Sequence, residues 1–211
     1  LNKPKPLIEI NNISLLERAI NLLISFSVQE ININVHYLPG QIKKFINEKK
    51  FNAKINISDE SGLLLDTGGG VLAGTNNFNN NPFFVINPDT LWSKIYLEEV
   101  KKLVNIFFKN NKPSLLLVDK TLSIDESFAG DFNLKDELIS KNKENKLIFT
   151  GLHITKRSFL SLEKSKVFSM NKVWNDLIKD NNLYGLESKQ KFYHLNTFEM
   201  YNKILSLKII D

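Results

Sequence analysis

From Ile31 to Val118 the chain alternates short apolar segments with amphipathic ones, and this alternation limits the fold more than any other feature. Ile31–Val35 alternates β-branched residues with Asn and reads as a strand. Pro39-Gly40 breaks it, and Gln41–Lys50 follows as a helix with Ile42, Phe45 and Ile46 on one side. Lys54–Ser58 is a second alternating strand. Phe83–Ile86 is apolar throughout, the pattern of a strand covered on both faces. A helix over Ile95–Lys109 and an apolar strand over Ser114–Val118 complete the series. Ahead of it, Ser14 and Glu17 stand at capping-box spacing before a helix from about Leu15 to Phe26. Repeated β-α alternation predicts an α/β fold: a mainly parallel sheet with helices on both faces, here as one domain over residues 1–211.

The second half is less regular. Phe128–Leu134 and Lys146–Ile154 read as extended, and Asn171–Lys179 as a helix with Val173, Trp174 and Leu177 inward. Asn196 and Glu199 repeat the cap spacing before a last helix reaching about Leu207. The Asn-rich run Asn76–Asn81 reads as a polar surface turn.

Hydrophobic residues make up 42% of the 211, enough to bury a substantial core. Cysteine is absent, which excludes disulfides, zinc–cysteine sites and a cysteine nucleophile and agrees with a cytoplasmic location. The net charge of +5 comes from scattered lysines, either a solvated surface or an attraction for phosphate-bearing ligands. No basic stripe interleaves with aromatics, so nucleic acid is not an expected partner. No apolar run reaches membrane-spanning length, so neither is a membrane. The three histidines lack zinc-site spacing, and G-x-S-x-G, P-loop and G-x-G-x-x-G motifs do not occur.

In an open parallel sheet, ligands bind beyond the carboxyl ends of the strands. Three segments reach such ends: His36-Tyr37, Asp59-Glu60 and Asn87-Pro88-Asp89-Thr90. Asp89, just past a buried strand, either holds Mg²⁺, a hard cation that takes oxygen ligands, or caps the next turn. Leu63–Leu65 lead into Asp66 and then Thr67-Gly68-Gly69-Gly70, where the glycines allow close backbone approach to a ligand or form a flexible turn. Lys5, stiffened between Pro4 and Pro6, is either presented to a phosphate or an exposed coil lysine.

Taken in order, these segments resemble the sugar-phosphate nucleotidyltransferases, over the whole chain. The resemblance rests on Pro4-Lys5-Pro6-Leu7, Leu15–Ala19, Asn34–Leu38, Ile57–Glu60, Leu64–Gly70, Phe84–Trp92, Gly130-Asp131-Phe132, Phe149-Thr150-Gly151, Phe168–Asn171 and His194–Thr197. The branch resembled most is that of N-acetylmuramate-1-phosphate uridylyltransferases and mannose-1-phosphate guanylyltransferase-like proteins. The resemblance implies the Rossmann-like fold of nucleotide-diphospho-sugar transferases, with nucleoside triphosphate and sugar-1-phosphate as substrates and Mg²⁺ as cofactor. It implies Lys5 and Asp89 as catalytic residues and Asp89 and His194 as metal ligands. Lys5, His36, Glu60, Thr67, Gly68, Gly69, Asn87, Asp131, Gly151 and Asn171 would contact substrate.

Three departures accompany it. The family's first strand and its glycine-rich loop, L-A-A-G-x-G-T-R-M, do not occur, so the chain as given is expected to be a truncation or fragment, folded but inactive. Pro88 stands where N-G-D is usual, and His194 and Asn196 occupy a segment that often supplies a second metal-binding Asp. A non-catalytic protein that binds a sugar nucleotide is the alternative reading.

Overall fold

The structure, a computed structural model, describes residues 2–60, 62 and 65–207; Leu63 and Leu64, which lead into the glycine run, lie outside them. Strands β1 (Glu9–Ile10) and β2 (Ile13–Ser14) form a hairpin around Asn11 and Asn12, both at positive φ. Asn tolerates that conformation, and a two-residue hairpin turn demands it at both central positions. Helix α1 (Leu15–Ser25) starts where expected: the Ser14 hydroxyl accepts the Glu17 N–H at 3.1 Å. Then come β3 (Glu30–Val35), α2 (Pro39–Lys49), β4 (Lys54–Asp59), α3 (Asp66–Gly74), β5 (Phe83–Ile86), α4 (Leu97–Asn110) and β6 (Ser114–Asp119). The rest comprises β7 (Asn133–Lys135), β8 (Leu138–Ser140), β9 (Leu147–Thr155), α5 (Arg157–Leu160), α6 (Met170–Lys179), β10 (Tyr184–Ser188) and α7 (Phe198–Ser206). No helix among the described residues is long and apolar enough to cross a membrane.

β3 and β4 pair in parallel over their whole length. The larger sheet has the order β5-β9-β6-β10-β8-β7. Here the parallel expectation is corrected in part: β6 and β10 run parallel, but β9 is antiparallel to both β5 and β6, and β8 to both β7 and β10. Residue pattern reveals that Leu147–Thr155 is buried and extended, not which way it runs. The α/β layering itself holds. Leu116 faces a cluster with Trp92, Tyr96, Leu103 and Phe107, while Leu115 and Leu117 face Phe132, Val173 and Trp174 on the opposite side. Strand β6 is covered on both faces, which is why its sequence is an unbroken apolar run.

Other differences have local causes. The glycine run is helical rather than a loop or turn, because the helix backbone packs closely against neighbours that leave no room for side chains. Of the expected extended segment Phe128–Leu134, only Asn133 and Leu134 fall in a strand, β7, with Phe132 making a single bridge to Leu147. β10 escapes notice because Gly185 and Glu187 interrupt its apolar pattern; Gly185 lies under Ile139, which a Cβ there would meet at 2.9 Å. Thr197, rather than Asn196, caps α7, accepting the Met200 N–H at 3.2 Å.

On β9, His153 is 2% exposed and packed between Phe149 and Trp174, and neither ring nitrogen has a hydrogen-bond partner. Burial pushes its pKa down to about 3. Unfolded, a histidine titrates near about 6.5. As pH falls below that value, the unfolded chain takes up a proton that the folded protein refuses. Stability from this site is therefore full above about pH 6.5 and is lost progressively as pH falls toward 3. His153→Phe is expected to flatten the dependence of stability on pH between about 6 and 4. Urea unfolding at stepped pH checks it; curves of equal slope for the two proteins would refute it.

Candidate active site at the carboxyl ends of the strands

Lys5 sits in a single 3₁₀ turn spanning Lys5–Leu7, with Pro4 and Pro6 fixing the backbone on both sides. Its ammonium donates to Asp89 Oδ2 at 3.0 Å. Asp89 lies in the turn beyond β5, and from its other side His194 Nε2 approaches the same oxygen at 3.2 Å. The carboxylate is thus taken up by the Lys5 ammonium and the His194 imidazole and does not cap the turn. Backbone bonds hold the pair of segments together: Leu91 N–H donates to Tyr193 O at 2.9 Å and Leu195 N–H to Asp89 O at 2.8 Å. The His194 ring stacks on Phe192 and touches Phe128, and its Nδ1 is buried without a partner. Burial works to raise the Asp89 pKa; the hydrogen bond and charge of His194, joined by those of Lys5, outweigh it and hold the carboxyl at about 2.

A second group gathers where β3 and β4 end. His36 Nδ1 lies 2.9 Å from Glu60 O, and Asn34 Nδ2 donates to Glu60 Oε1 at 2.7 Å. Burial raises the Glu60 pKa against the opposing effects of Asn34 and His36. Across from them, the Thr67 hydroxyl accepts the Met170 N–H at 3.0 Å, which brings α3 against α6 beside Asn171.

Lys5, His36, Glu60, Thr67, Asn87 and Asn171 all line one cavity of about 1500 Å³. The other expected residues are held in contacts within the protein. Gly68 and Gly69 N–H both donate to Phe168 O, at 2.9 and 3.1 Å. A Cβ on Gly69 would lie 2.2 Å from Lys166 O. Asp131 Oδ2 accepts the Phe149 N–H and so tethers β9. Gly151, at φ +94°, lies against Asn87, whose N–H donates to Gly151 O at 2.7 Å. One polar group escaped sequence reasoning: Asp125, 8% exposed, accepts from Asn196 Nδ2 at 2.7 Å and from the Ser127 hydroxyl at 2.6 Å. The Ser127 hydroxyl, aided by Asn196, holds its carboxyl below the usual range. Its only trace in the sequence is the Asp125-Glu126-Ser127 spacing of a local side-chain turn.

Among the described residues no group of three or more His, Asp or Glu side chains could hold a metal ion. Asp89 still fits Mg²⁺, which is commonly bound through one or two carboxylates, with substrate phosphates and water completing its shell. Imidazole suits softer metals, and His194 is engaged with Asp89.

No family profile matches the chain. Its sequence is similar to N-acetylmuramate alpha-1-phosphate uridylyltransferase of Caulobacter vibrioides, 25% identical over 206 residues, 92% of this chain and 84% of that protein. It is 26% identical to a mannose-1-phosphate guanyltransferase of Gibberella zeae over 89% of this chain, and there it spans about half, 53%, of the relative's length. Among solved structures, HddC from Yersinia pseudotuberculosis superposes with a TM-score of 0.77 at 20% identity, covering 97% of this chain and 90% of that one. A putative glucose-1-phosphate thymidylyltransferase from Bacillus anthracis, in complex with a sucrose, reaches 0.79 at 16% identity, with 98% and 88% covered. In sequence and in fold the chain is thus similar to sugar-phosphate nucleotidyltransferases. The structural likenesses establish the nucleotidyltransferase fold, and the sequence likenesses extend over about nine-tenths of the chain.

Two outcomes follow for these residues. An unfolded aspartate titrates near about 3.9, whereas folded Asp89 does so at about 2. Its contribution to stability is present above about pH 4 and lost as pH falls through 2, amounting to roughly 2 kcal/mol. Asp89→Asn should remove that part of the acid-induced loss in urea titrations; an unchanged acid limb would contradict the assignment. Gly69→Ala should destabilise by about 1–3 kcal/mol, since it drives a methyl group into a backbone carbonyl. A melting temperature equal to that of the parent would show that the contact yields freely.

Proposed function

We propose that the protein transfers a nucleotidyl group from a nucleoside triphosphate to a sugar-1-phosphate, releasing pyrophosphate, with UTP and N-acetylmuramate-1-phosphate as the preferred pair. The observation that carries this reading is the Lys5–Asp89–His194 cluster, set beside a large cavity at the strand ends. The similarity to the uridylyltransferase over 92% of the chain supports the choice of substrates.

In the proposed reaction an oxygen of the sugar phosphate attacks the α-phosphorus. A new O–P bond forms as the bond to the β-phosphate bridging oxygen breaks, and pyrophosphate leaves with its electrons. Such a displacement needs alignment and neutralisation of charge more than covalent help from the protein. Lys5, its backbone stiffened by two prolines and its ammonium already steered by Asp89, brings a fixed positive charge to the phosphates. Thr67 and Asn171, on the α3–α6 side, offer hydrogen bonds to hydroxyl or base edges, and the His36–Glu60–Asn34 group offers them opposite. A Mg²⁺ ion bound at Asp89 would neutralise phosphate oxygens. His194 keeps the carboxylate ionised and oriented.

Guanylyl transfer to mannose-1-phosphate is the second reading, favoured by several guanyltransferase relatives. Pyrophosphate release from UTP and GTP, each with N-acetylmuramate-1-phosphate and mannose-1-phosphate, separates the two. It is run on this chain and on a version extended ahead of Leu1 by a strand and glycine-rich loop. Turnover with UTP and the muramate substrate in either protein is expected; release with no pair in either would overturn the proposal. In the active protein Lys5→Ala should slow transfer by about 100-fold or more while leaving thermal stability nearly unchanged. Normal kinetics in that variant would remove Lys5 from the mechanism.

A further inference from the structure

His194 reaches Asp89 without the support that an imidazole in such a role ordinarily receives. A histidine that serves a partner through one ring nitrogen is commonly fixed by a hydrogen bond at the other. Here Nε2 lies against Asp89 Oδ2, while Nδ1 is buried and has no hydrogen-bond partner among the described residues. The ring is therefore held by what packs on it and by the backbone that carries it. Phe192 stacks on it with 5.9 Å between ring centroids, and Phe128 meets it at 5.6 Å. Its backbone runs between two others. On one side Leu195 N–H donates to Asp89 O; on the other Phe192 N–H donates to Leu122 O at 2.9 Å and accepts, through its carbonyl, the Ile124 N–H at 3.2 Å.

Both supports converge on one buried carboxylate. Asp125 Oδ1 accepts the Ser127 N–H at 3.0 Å and the Ser127 hydroxyl at 2.6 Å, closing the turn that leads directly into Phe128. Asp125 Oδ2 accepts Asn196 Nδ2 at 2.7 Å, and Asn196 stands two residues beyond His194. Donors face both oxygens, so an acceptor-only side chain is required; an asparagine would set its own NH₂ against one of them. Asp125 does not line the cavity shared by Lys5, His36 and Glu60, so its reach is toward His194 and not toward a bound substrate. We propose that Asp125 is a positioning residue for the candidate active site: by holding Asn196 and the Phe128 turn, it sets where the His194 imidazole stands on Asp89. The positioning follows from the geometry; its consequence for turnover rests on the proposed nucleotidyl transfer.

The chain has three histidines, so histidine-specific isotope labelling of the full chain gives three ring signals by NMR, with His194 assigned from His194→Gln. At one fixed pH, Asp125→Asn and Asn196→Ala should each shift the His194 signal and weaken its Overhauser contacts to the Phe128 and Phe192 rings, while His36 and His153 stay in place. Asn196 is exposed, so its truncation leaves the core intact even where Asp125→Asn fails to fold. Val173→Ala is the control: Val173 is buried in a cluster that contains none of Phe128, Phe192 and Leu195, so it should lower the melting temperature and leave the His194 signal unmoved. In whichever version turns over, Asp125→Asn should lower kcat by about 10- to 100-fold with little change in KM. The proposal is overturned if the His194 signal in the folded variants matches the parent, or if Val173→Ala moves it as much. A shifted signal with normal kcat would overturn the consequence for turnover. Absence of turnover with every substrate pair would overturn the proposed activity instead, and the His194 signals would still decide the positioning.

Discussion

Three segments far apart in sequence meet on one oxygen atom. Asp89 Oδ2 takes the Lys5 ammonium from the amino-terminal turn and the His194 imidazole from the segment before α7. A half-buried carboxylate left alone would be driven toward its neutral form; held by His194 and Lys5, it stays ionised well below the usual range. The contact therefore closes the structure around β5 and, by the same electrostatics, concentrates charge at the mouth of a largely apolar cavity. Backbone pairing of Leu91 with Tyr193 and of Asp89 with Leu195 sets the approach of the two segments, so the imidazole does not have to find the carboxylate by side-chain freedom.

Lys5 and a metal ion bound at Asp89 would share one carboxylate. The ammonium lies 3.0 Å from Asp89 Oδ2, so a cation held by that carboxylate would be repelled by it. An incoming polyphosphate brings negative charge of its own, and its attraction for Lys5 relieves that repulsion. In the proposed function, nucleotide and cation would then enter as a linked pair, with Lys5 moving only from one anion to another. The flanking prolines fit this arrangement, since they restrict the backbone while leaving the four-carbon side chain free to swing.

What could be read from the sequence follows from which forces are local. Caps and periodicity are local, and Ser14 capping α1, the β3–α2–β4 succession and the apolar strands β5 and β6 all appear close to where the residues place them. Strand direction is not local, and nothing in Leu147–Thr155 announces that it runs against both neighbours. His36, Glu60 and Asn87 are legible from strand ends, Lys5 from its flanking prolines and Thr67 from the glycine run, whereas Asn171 is marked as a site residue only by the resemblance; all six line one cavity. The joint hold of Lys5 and His194 on Asp89 is not legible, because it depends on how the 193–195 segment returns to β5.

The glycine run shows how one sequence feature can support a site without touching a ligand. Each glycine in a helix costs roughly 1 kcal/mol relative to alanine, so the run weakens α3 as an isolated helix. What it gains is proximity. Gly68 and Gly69 let the helix backbone donate to Phe168 O, and Gly70 and Gly74 let it settle on Asn34 of β3. That places Thr67 where it accepts from Met170 at the start of α6. It also leaves Asn34 free to reach Glu60 and Asn32 to reach Gly74 O. Added methyl groups would push α3 away from the strand and from the 166–170 segment together, widening the cavity and parting Thr67 from Met170. The conformational weakness of the glycines and the tightness of the cavity's polar wall are thus one property: a helix that could stand alone would stand too far away.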